Sequence, residues 1–291
     1  MNYRHAFHAG NFADVVKHVV LARILAYLGR KEAPFRVLDT HAGAGLYDLQ
    51  GEEAQRTGEW EGGIGSVLQA SFTPEVAALL QPWLDVVRAV NVAAADDAAL
   101  AGTLRRYPGS PLIAQALSRP QDRLIFCETV DGVRDALVES VGRDARAKVL
   151  PTDGWQALNA YLPPKERRGL VLIDPPFEQP GEFHRMAEGL ADAYRRWSTG
   201  IYALWYPIKD VRAVDAFRRE IEHAHIPKTL NIQFDLRAVR QMDTMTGCGL
   251  VIVNPPFTLV DELRLALGAL ARVLATDGTG RLRISWLTPE R

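Results

Sequence analysis

Short apolar runs that end in a polar or turn residue alternate along the chain with longer stretches of helical periodicity. This alternation is typical of a buried parallel sheet whose strands are joined by crossover helices. We therefore predict an α/β fold with seven strands, at residues 35–39, 123–128, 147–150, 170–174, 200–205, 229–235 and 248–254.

The last two predicted strands are connected differently from the others. Residues 236–247 form a polar loop that is too short for a crossover connection containing a helix. We expect an antiparallel hairpin, so the seventh strand should run against the rest of the sheet. A further apolar run at residues 282–286 is compatible with an extra strand at the edge.

Helical periodicity precedes the first strand and fills a long gap after it. Residues 13–28 predict a helix with Asn11 or Asp14 near its N-cap. More than eighty residues separate the first two strands, far more than an ordinary crossover, and they contain helical patterns at 63–69 and 74–90. We predict a main domain of residues 1–47 and 103–291, with residues 48–102 as an inserted helical subdomain. Within it, the Ala-rich stretch 92–101 is expected to be a solvated helix or a linker.

Charge and cysteine content limit the possible partners. The 291 residues include 34 Lys and Arg and 35 Asp and Glu, so a nucleic-acid site would have to be a local basic patch. Cys127 and Cys248 stand in apolar runs, which favours buried thiols over a disulfide, and we predict no metal site.

No segment approaches the roughly 18 apolar residues of a membrane span, and the N-terminus lacks the apolar core of a signal peptide. We expect a cytoplasmic monomer.

A glycine-rich turn follows the first predicted strand, from Asp39 to Gly45. Glycines at the carboxyl end of a strand let the backbone approach a ligand, which makes Asp39 and Gly43 candidate cofactor-binding residues. A dinucleotide-binding fingerprint would need glycine at position 48, where Asp48 stands. The spacing instead resembles the first motif of class I S-adenosylmethionine-dependent methyltransferases.

Acidic residues follow the second and third strands. Glu128 can accept hydrogen bonds from both hydroxyls of an adenosine ribose, although an acid at the end of a strand can also be a turn residue. Asp153, followed by Gly154, can accept a hydrogen bond from the amino group of the cofactor adenine. It can equally be the N-cap of a helix starting at Trp155, and both roles are compatible.

The fourth strand ends in the most specific chemical motif of the chain, Asp174-Pro175-Pro176-Phe177. The prolines stiffen the turn and lack amide hydrogens, so the Asp174 carboxylate and the Pro175 carbonyl can both accept hydrogen bonds from one exocyclic amine. Two such acceptors would orient the nitrogen lone pair toward a methyl donor and stabilise the developing positive charge. We predict Asp174, Pro175 and Phe177 as catalytic residues, with Asp174 taking the proton and Phe177 offering its face to a base.

A similar sequence, Asn254-Pro255-Pro256-Phe257, follows the seventh strand. Because that strand should be antiparallel, its carboxyl end is expected at the opposite edge of the sheet from the glycine turn. We therefore predict a structural role for Asn254.

The N-terminal segment is dense in polar groups although it leads into an apolar helix, and packing does not explain this density. It closely resembles the signature of the RlmJ family, enzymes that methylate adenine N6 in 23S ribosomal RNA. The matching segments are residues 3–18 (YRHAFHAGNFADVVKH), 38–45 (LDTHAGAG), 56–59 (RTGE), 107–111 (YPGSP), 173–177 (IDPPF) and 202–207 (YALWYP).

This resemblance implies a class I methyltransferase that uses S-adenosylmethionine and acts on 23S rRNA. It also implies that Tyr3 contacts the RNA and that Lys17 lies with His18 beside the methionine end of the cofactor. For His5 and His8, a structural role and a ligand role both remain open. The residues implied to line the cofactor site are His18, His41, Ser110, Glu128, Asp153, Gly154 and Asp174, with Asp174 as proton acceptor.

Basic residues that follow the strands are the candidates for holding RNA phosphates. They are Lys209 and Arg212 after the fifth strand, and Arg237 and Arg240 after the sixth. The target adenine must be unpaired or flipped out of its stack. Two alternatives remain at this stage: methylation of adenine or of guanine N2 in DNA, and a non-catalytic RNA-binding module.

Overall fold

The computed structural model describes residues 4–92, 103–236, 245–275 and 278–290. Its strands are β1 (Arg36–Asp39), β2 (Leu46–Asp48), β3 (Arg106–Pro108), β4 (Arg123–Cys127), β5 (Ala147–Leu150), β6 (Gly169–Ile173), β7 (Ile201–Ile208), β8 (Thr229–Asp235), β9 (Gly247–Val253) and β10 (Arg281–Thr288). Its α-helices are α1 (Phe12–Gly29), α2 (Glu52–Thr57), α3 (Ser66–Gln69), α4 (Pro74–Val92), α5 (Ser110–Ala116), α6 (Asp131–Val141), α7 (Gly154–Tyr161), α8 (Glu182–Arg196), α9 (Val211–His223) and α10 (Leu259–Leu274).

Eight of the described strands form one sheet, in the order β10-β8-β9-β7-β6-β1-β4-β5. Strands β5, β4, β1, β6 and β7 pair in parallel, whereas β9 is antiparallel to both β7 and β8. The seven predicted strands and the antiparallel direction of the seventh are thus confirmed. The predicted strand number is wrong by one, because β10 pairs antiparallel with β8 and extends the edge. An edge strand buries little of its surface, and β10 is largely exposed or half-buried, so its apolar signal is weak.

Helices cover both faces of the sheet. Alternate residues of β4 show the two faces: Leu124 and Phe126 pack in the core shared by α1, α4, α5 and α10, while Ile125 and Cys127 face the core under α7, α8 and α9. Such double coverage explains why the parallel strands are continuously apolar. Cys127 and Cys248 are buried free thiols, as predicted.

Helix α1 lies almost wholly inside the first of these cores. Asn11 is its N-cap, and the Asn11 side-chain oxygen accepts hydrogen bonds from the amides of Ala13 at 2.9 Å and Asp14 at 3.0 Å. The predicted helix is therefore confirmed, with Asn11 rather than Asp14 in the capping role. The cap fixes the start of the helix that carries Asp14, Lys17 and His18 toward the sheet edge.

The segment between β1 and β4 is mainly helical. It holds α2, a π-helical turn (Glu61–Gly65), α3 and α4, whose buried residues join the core of α1 and α10. Strands β2 and β3 form an antiparallel ribbon in which Asp48 pairs with Arg106. This pairing of the two ends supports the proposed insertion of residues 48–102. Residues 93–102, which include most of the predicted Ala-rich stretch, lie outside the described residues.

In the described part of the chain, no helix is long and apolar enough to cross a membrane. The same ranges contain no group of three or more His, Cys, Asp or Glu side chains placed to hold a metal ion.

Candidate active site

A cavity of about 1090 Å³ opens where β1, β4, β6 and β7 end. Its volume lies slightly above the roughly 300–1,000 Å³ that is usual for ligand sites. The predicted residues that line it are Lys17, His18, His41, Gly43, Ser110, Glu128, Asp153, Gly154, Asp174, Pro175, Phe177 and Lys209. The structure thus brings residues from distant parts of the sequence to one edge of the sheet.

The turn after β1 lies against the end of β4. Gly43 has φ +65°, and a Cβ there would lie 2.3 Å from the Tyr47 hydroxyl oxygen, so this position requires glycine. The Gly43 amide donates to Glu128 Oε2 at 3.1 Å, and the Val130 amide donates to Glu128 Oε1 at 2.9 Å. Each carboxylate oxygen of Glu128 keeps a second lone pair with which it can accept a hydroxyl.

Asp39 lies beneath this turn and is almost fully buried. Its Oδ2 accepts a 2.6 Å hydrogen bond from Ser110 Oγ, and its Oδ1 accepts a 3.3 Å bond from the His41 amide. Burial raises the pKa of Asp39 to about 6, although both hydrogen bonds oppose the rise. In this position Asp39 fixes Ser110, which itself lines the cavity.

The start of α7 forms another wall. Asp153 is its N-cap, and Asp153 Oδ1 accepts from the amides of Trp155 at 2.8 Å and Gln156 at 3.2 Å. The capping role is thus confirmed, and it uses only one of the two carboxylate oxygens. A Cβ at Gly154 would lie 2.3 Å from the Thr40 carbonyl oxygen, so glycine permits close contact between the start of α7 and the turn that follows β1.

Asp174 follows β6 directly and is held by a buried lysine. Lys17 Nζ lies 2.5 Å from Asp174 Oδ2 and 3.0 Å from Asp14 Oδ1. The side chain of Lys17 is 7% exposed, that of Asp14 2%, and that of Asp174 16%. A cation among two carboxylates at this depth fixes their positions, because either carboxylate would be costly to leave unpaired.

Asp14 is the second anchor of Lys17. Its Oδ2 accepts hydrogen bonds from His5 Nε2 at 2.9 Å and from the Gly10 amide at 3.0 Å. Burial raises the pKa of Asp14, but the charges of His5 and Lys17 more than offset it and hold the pKa well below the usual value. Asp14 is therefore ionised at neutral pH.

Two histidines of the cavity are neutral at pH 7. Burial lowers the pKa of His18 to about 3 and that of His41 to about 4. His18 Nδ1 lies 2.8 Å from the Tyr107 hydroxyl, whereas His18 Nε2 is buried without a hydrogen-bond partner in the described residues. If the Tyr107 hydroxyl donates to Nδ1, Nε2 carries a hydrogen for a ligand acceptor.

The Phe177 ring belongs to an aromatic cluster at the cavity. Phe177 has a left-handed backbone conformation (φ 53°), and its ring centroid lies 5.1 Å from that of Phe183 and 6.0 Å from that of Trp205. Lys17 Nζ lies 5.9 Å from the Trp205 ring centroid. A non-glycine residue with positive φ is strained, so the surrounding rings hold this turn in place.

The candidate RNA-binding residues are only partly described. Lys209 is exposed at the cavity, and Arg212 is exposed in the first turn of α9. Tyr3, Arg237 and Arg240 lie outside the described residues.

Asn254 lies at the opposite edge of the sheet, as predicted. Because Val253 of β9 pairs with Tyr202 near the start of β7, the turn at Asn254 lies where the parallel strands begin. Its side-chain amide donates to the carbonyls of Ser198 at 2.9 Å and Gly200 at 2.8 Å. These bonds secure the loop before β7.

Sequence reasoning missed Asp14 and Trp205 as parts of the site. The polar density around Asp14 was the available signal, but it could not show which residues pair. For His5 and His8, the structure shows bonds to protein carboxylates: His5 to Asp14, and His8 Nδ1 to Glu59 Oε2 at 2.9 Å.

Comparison with known proteins identifies the family. The family model described as "Ribosomal RNA large subunit methyltransferase D, RlmJ" matches residues 32–288. The proteins named ribosomal RNA large subunit methyltransferase J of Escherichia coli and Haemophilus influenzae are 41% and 38% identical to this chain, and each match covers 100% of both chains. The crystal structure of a Legionella pneumophila protein superposes with a TM-score of 0.86 at 36% identity, covering 96% of this chain and 98% of that one. The chain belongs to the RlmJ family of ribosomal RNA large subunit methyltransferases.

Proposed function

We propose that this protein transfers the methyl group of S-adenosylmethionine to the exocyclic N6 of an adenine in 23S rRNA, with Asp174 as proton acceptor. The observation that carries the proposal is the position of Asp174, which lines the cavity beside the glycine turn and is held by Lys17. Family membership supports the substrate class, because the relatives are named as ribosomal RNA large subunit methyltransferases. An rRNA substrate implies that the enzyme works in the cytoplasm.

The cavity residues fit S-adenosylmethionine. We assign the ribose hydroxyls to Glu128, because each of its carboxylate oxygens accepts one backbone amide and keeps a lone pair for a further donor. His18 Nε2, which is buried and makes no hydrogen bond among the described residues, suits the carboxylate of the methionine end. The oxygen of Asp153 that does not cap α7 suits the adenine amine.

When bound, S-adenosylmethionine supplies an electrophilic methyl group on a sulfonium. The carboxylate of Asp174 and the carbonyl of Pro175 accept the two N6 hydrogens of the target adenine and aim the nitrogen lone pair at that methyl group. Lys17 occupies Asp174 Oδ2, so Oδ1 is the oxygen assigned to the amine. The Phe177 ring supplies a surface against which the flipped base stacks.

Asp174 also receives the proton that methylation releases. As the carbon–nitrogen bond forms and the carbon–sulfur bond breaks, positive charge develops on N6, and the nearby carboxylate stabilises it. The methylated nitrogen is then a strong acid, so an ordinary carboxylate suffices as base. The proton passes from N6 to Asp174 Oδ1 and then to solvent.

The test uses labelled S-adenosylmethionine with unmodified 23S rRNA and, separately, with unmethylated duplex DNA, followed by digestion to nucleosides. Label in N6-methyladenosine from rRNA alone is the expected result. Label in DNA or in N2-methylguanosine would favour one of the alternative methyltransferases, and no label with a cofactor-binding protein would favour a binding module. Asp174→Asn is the control that assigns the label to this site.

A further inference from the structure

Residues 4–11 lie against the start of the segment inserted after β2. Arg4 Nη1 donates to Glu53 Oε1 at 3.2 Å, and the Thr57 hydroxyl donates to the Phe7 carbonyl at 2.5 Å. His8 Nδ1 lies 2.9 Å from Glu59 Oε2. Three residues of the inserted segment thus hold three residues of the N-terminal segment.

Glu59 is the centre of this contact. Its Oε2 also accepts a 2.9 Å hydrogen bond from the side-chain amide of Asn11. Burial raises the pKa of Glu59, but the hydrogen bonds from His8 and Asn11 outweigh it and lower the pKa below the usual value. Glu59 therefore joins His8 to Asn11, whose other side-chain atom caps α1.

The two backbones also touch directly. The Ile64 amide donates to the Gly10 carbonyl at 2.8 Å. A Cβ at Gly63 would lie 2.0 Å from the Gly10 carbonyl oxygen and 2.7 Å from Asn11 Cα, so this contact requires glycine at position 63. The backbone of the inserted segment thus packs directly against the backbone of residues 10 and 11.

The held segment is a wall of the catalytic cavity. Arg4, His5 and His8 line the cavity, as do Glu53 and Glu59. The side chain of Arg4 is 70% exposed, so it faces solvent at the cavity while Glu53 restrains it. His5 further ties the segment to Asp14, the partner of Lys17.

We propose that Glu59 and Thr57 are positioning residues for the RNA substrate: they hold residues 4–11 as a preformed wall of the cavity against which the target nucleotide docks. This inference rests on the proposed function, since it takes RNA as the molecule that enters the cavity. It gives residues 56–59 a role that the cofactor site does not explain. A preformed wall lowers the entropic cost of binding, so losing it weakens RNA binding more than methyl transfer from the bound complex.

The test compares Glu59→Gln, Thr57→Val and His8→Ala with the wild type in steady-state methylation of 23S rRNA at saturating S-adenosylmethionine. Glu52→Gln is the matched control, because it removes the same charge from an exposed position of α2. Active-site concentration and cofactor affinity are measured by calorimetry with S-adenosylhomocysteine, so a poorly folded fraction is counted separately.

Glu59→Gln should raise KM for rRNA about tenfold, as expected for weakened hydrogen bonds to a charged group, and Thr57→Val and His8→Ala by smaller factors. The kcat and the cofactor affinity of each variant should stay within about twofold of wild type. The double variant Glu59→Gln/His8→Ala should raise KM by less than the product of the single effects, because both changes break one contact.

Two results would overturn the inference: a KM for Glu59→Gln equal to that of Glu52→Gln, or a loss of kcat or cofactor affinity in place of the rise in KM. Both results are judged relative to wild-type protein that is active in the same assay. A wild-type protein that makes no N6-methyladenosine would contradict the proposed function itself.

Discussion

Replacing Lys17 with methionine tests whether one buried cation positions Asp174, the carboxylate that we propose as the proton acceptor. Lys17 Nζ contacts Asp174 at 2.5 Å and Asp14 at 3.0 Å, and breaking a buried ion pair from one side typically costs about 3–5 kcal/mol. Asp14 keeps its bonds to His5 and Gly10, and water from the cavity can solvate Asp174. We therefore expect the lower end of that range, a loss of about 3 kcal/mol in the free energy of unfolding.

The methylation rate should fall by more than the loss of folded protein alone can explain. A catalytic group displaced by about 1 Å can cost about 100-fold in rate, and Lys17→Met frees Asp174 from its anchor. The assay is single-turnover methylation of rRNA at saturating cofactor, with urea unfolding as the stability measurement. Arg23→Met is the matched control: Arg23 is a buried cation of the same helix, and its Nε donates to Glu262 Oε2 at 2.8 Å. It should lose similar stability while its rate stays within about twofold.

The stability deficit of Lys17→Met should depend on pH. The pKa of Asp14 is lower in the folded protein than its ordinary 3.8, despite burial, because of the charges of His5 and Lys17. Such a carboxylate stabilises the fold above its unfolded pKa, and that stability is lost as pH falls through the lower folded pKa. The deficit should be full at pH 7 and shrink below about pH 4. A rate within threefold of wild type, or a deficit that grows in acid, would refute the reasoning.

Three further changes test other parts of the site. Asp174→Asn should lower the rate at saturating cofactor by about 10²–10⁴-fold, whereas Asn254→Ala should stay within about threefold; the reverse order in the same assay would contradict the choice between the two motifs. Glu128→Gln should weaken cofactor binding by about 1.5–3 kcal/mol in calorimetry, and unchanged affinity would remove Glu128 from the ribose role. Burial lowers the pKa of His41 to about 4. Between about pH 6.5 and 4 the unfolded chain therefore binds a proton at His41 that the folded protein does not, so the free energy of unfolding decreases as pH falls through this range. His41→Gln should therefore lose less thermal stability between pH 7 and 4.5 than wild type, and an equal loss would contradict a neutral, half-buried His41.

Sequence patterns predicted the sheet well because parallel strands are buried on both faces. Strand β6 is apolar throughout, and its end at Asp174 is marked by two prolines. Strand β10 was predicted only as a possible edge, at 282–286, because alternating exposure at the outermost position leaves a weak pattern. Pairing order at an edge depends on tertiary contacts that periodicity does not encode.

The ends of strands also predicted from sequence that Glu128, Asp153 and Asp174 lie at one edge of the sheet, and all three line the cavity there. The pairing of Lys17 with Asp14 and Asp174 could not be found in this way. Residues 17 and 174 are far apart in the chain, and only the docking of α1 against the sheet places one beside the other. Such contacts can be identified only from the three-dimensional structure.

The two Pro-Pro-Phe turns show how strand direction decides which motif reaches the cavity. Asp174 follows a parallel strand and reaches the cavity, where Lys17 fixes its carboxylate. Asn254 follows an antiparallel strand, and its side-chain amide donates hydrogen bonds to two backbone carbonyls at the other edge. Phe257 is accordingly 81% exposed, whereas Phe177 packs in the aromatic cluster of the cavity. Nearly identical local sequences thus occupy opposite edges of the sheet, because a parallel strand ends beside the glycine turn and an antiparallel strand ends at the other edge.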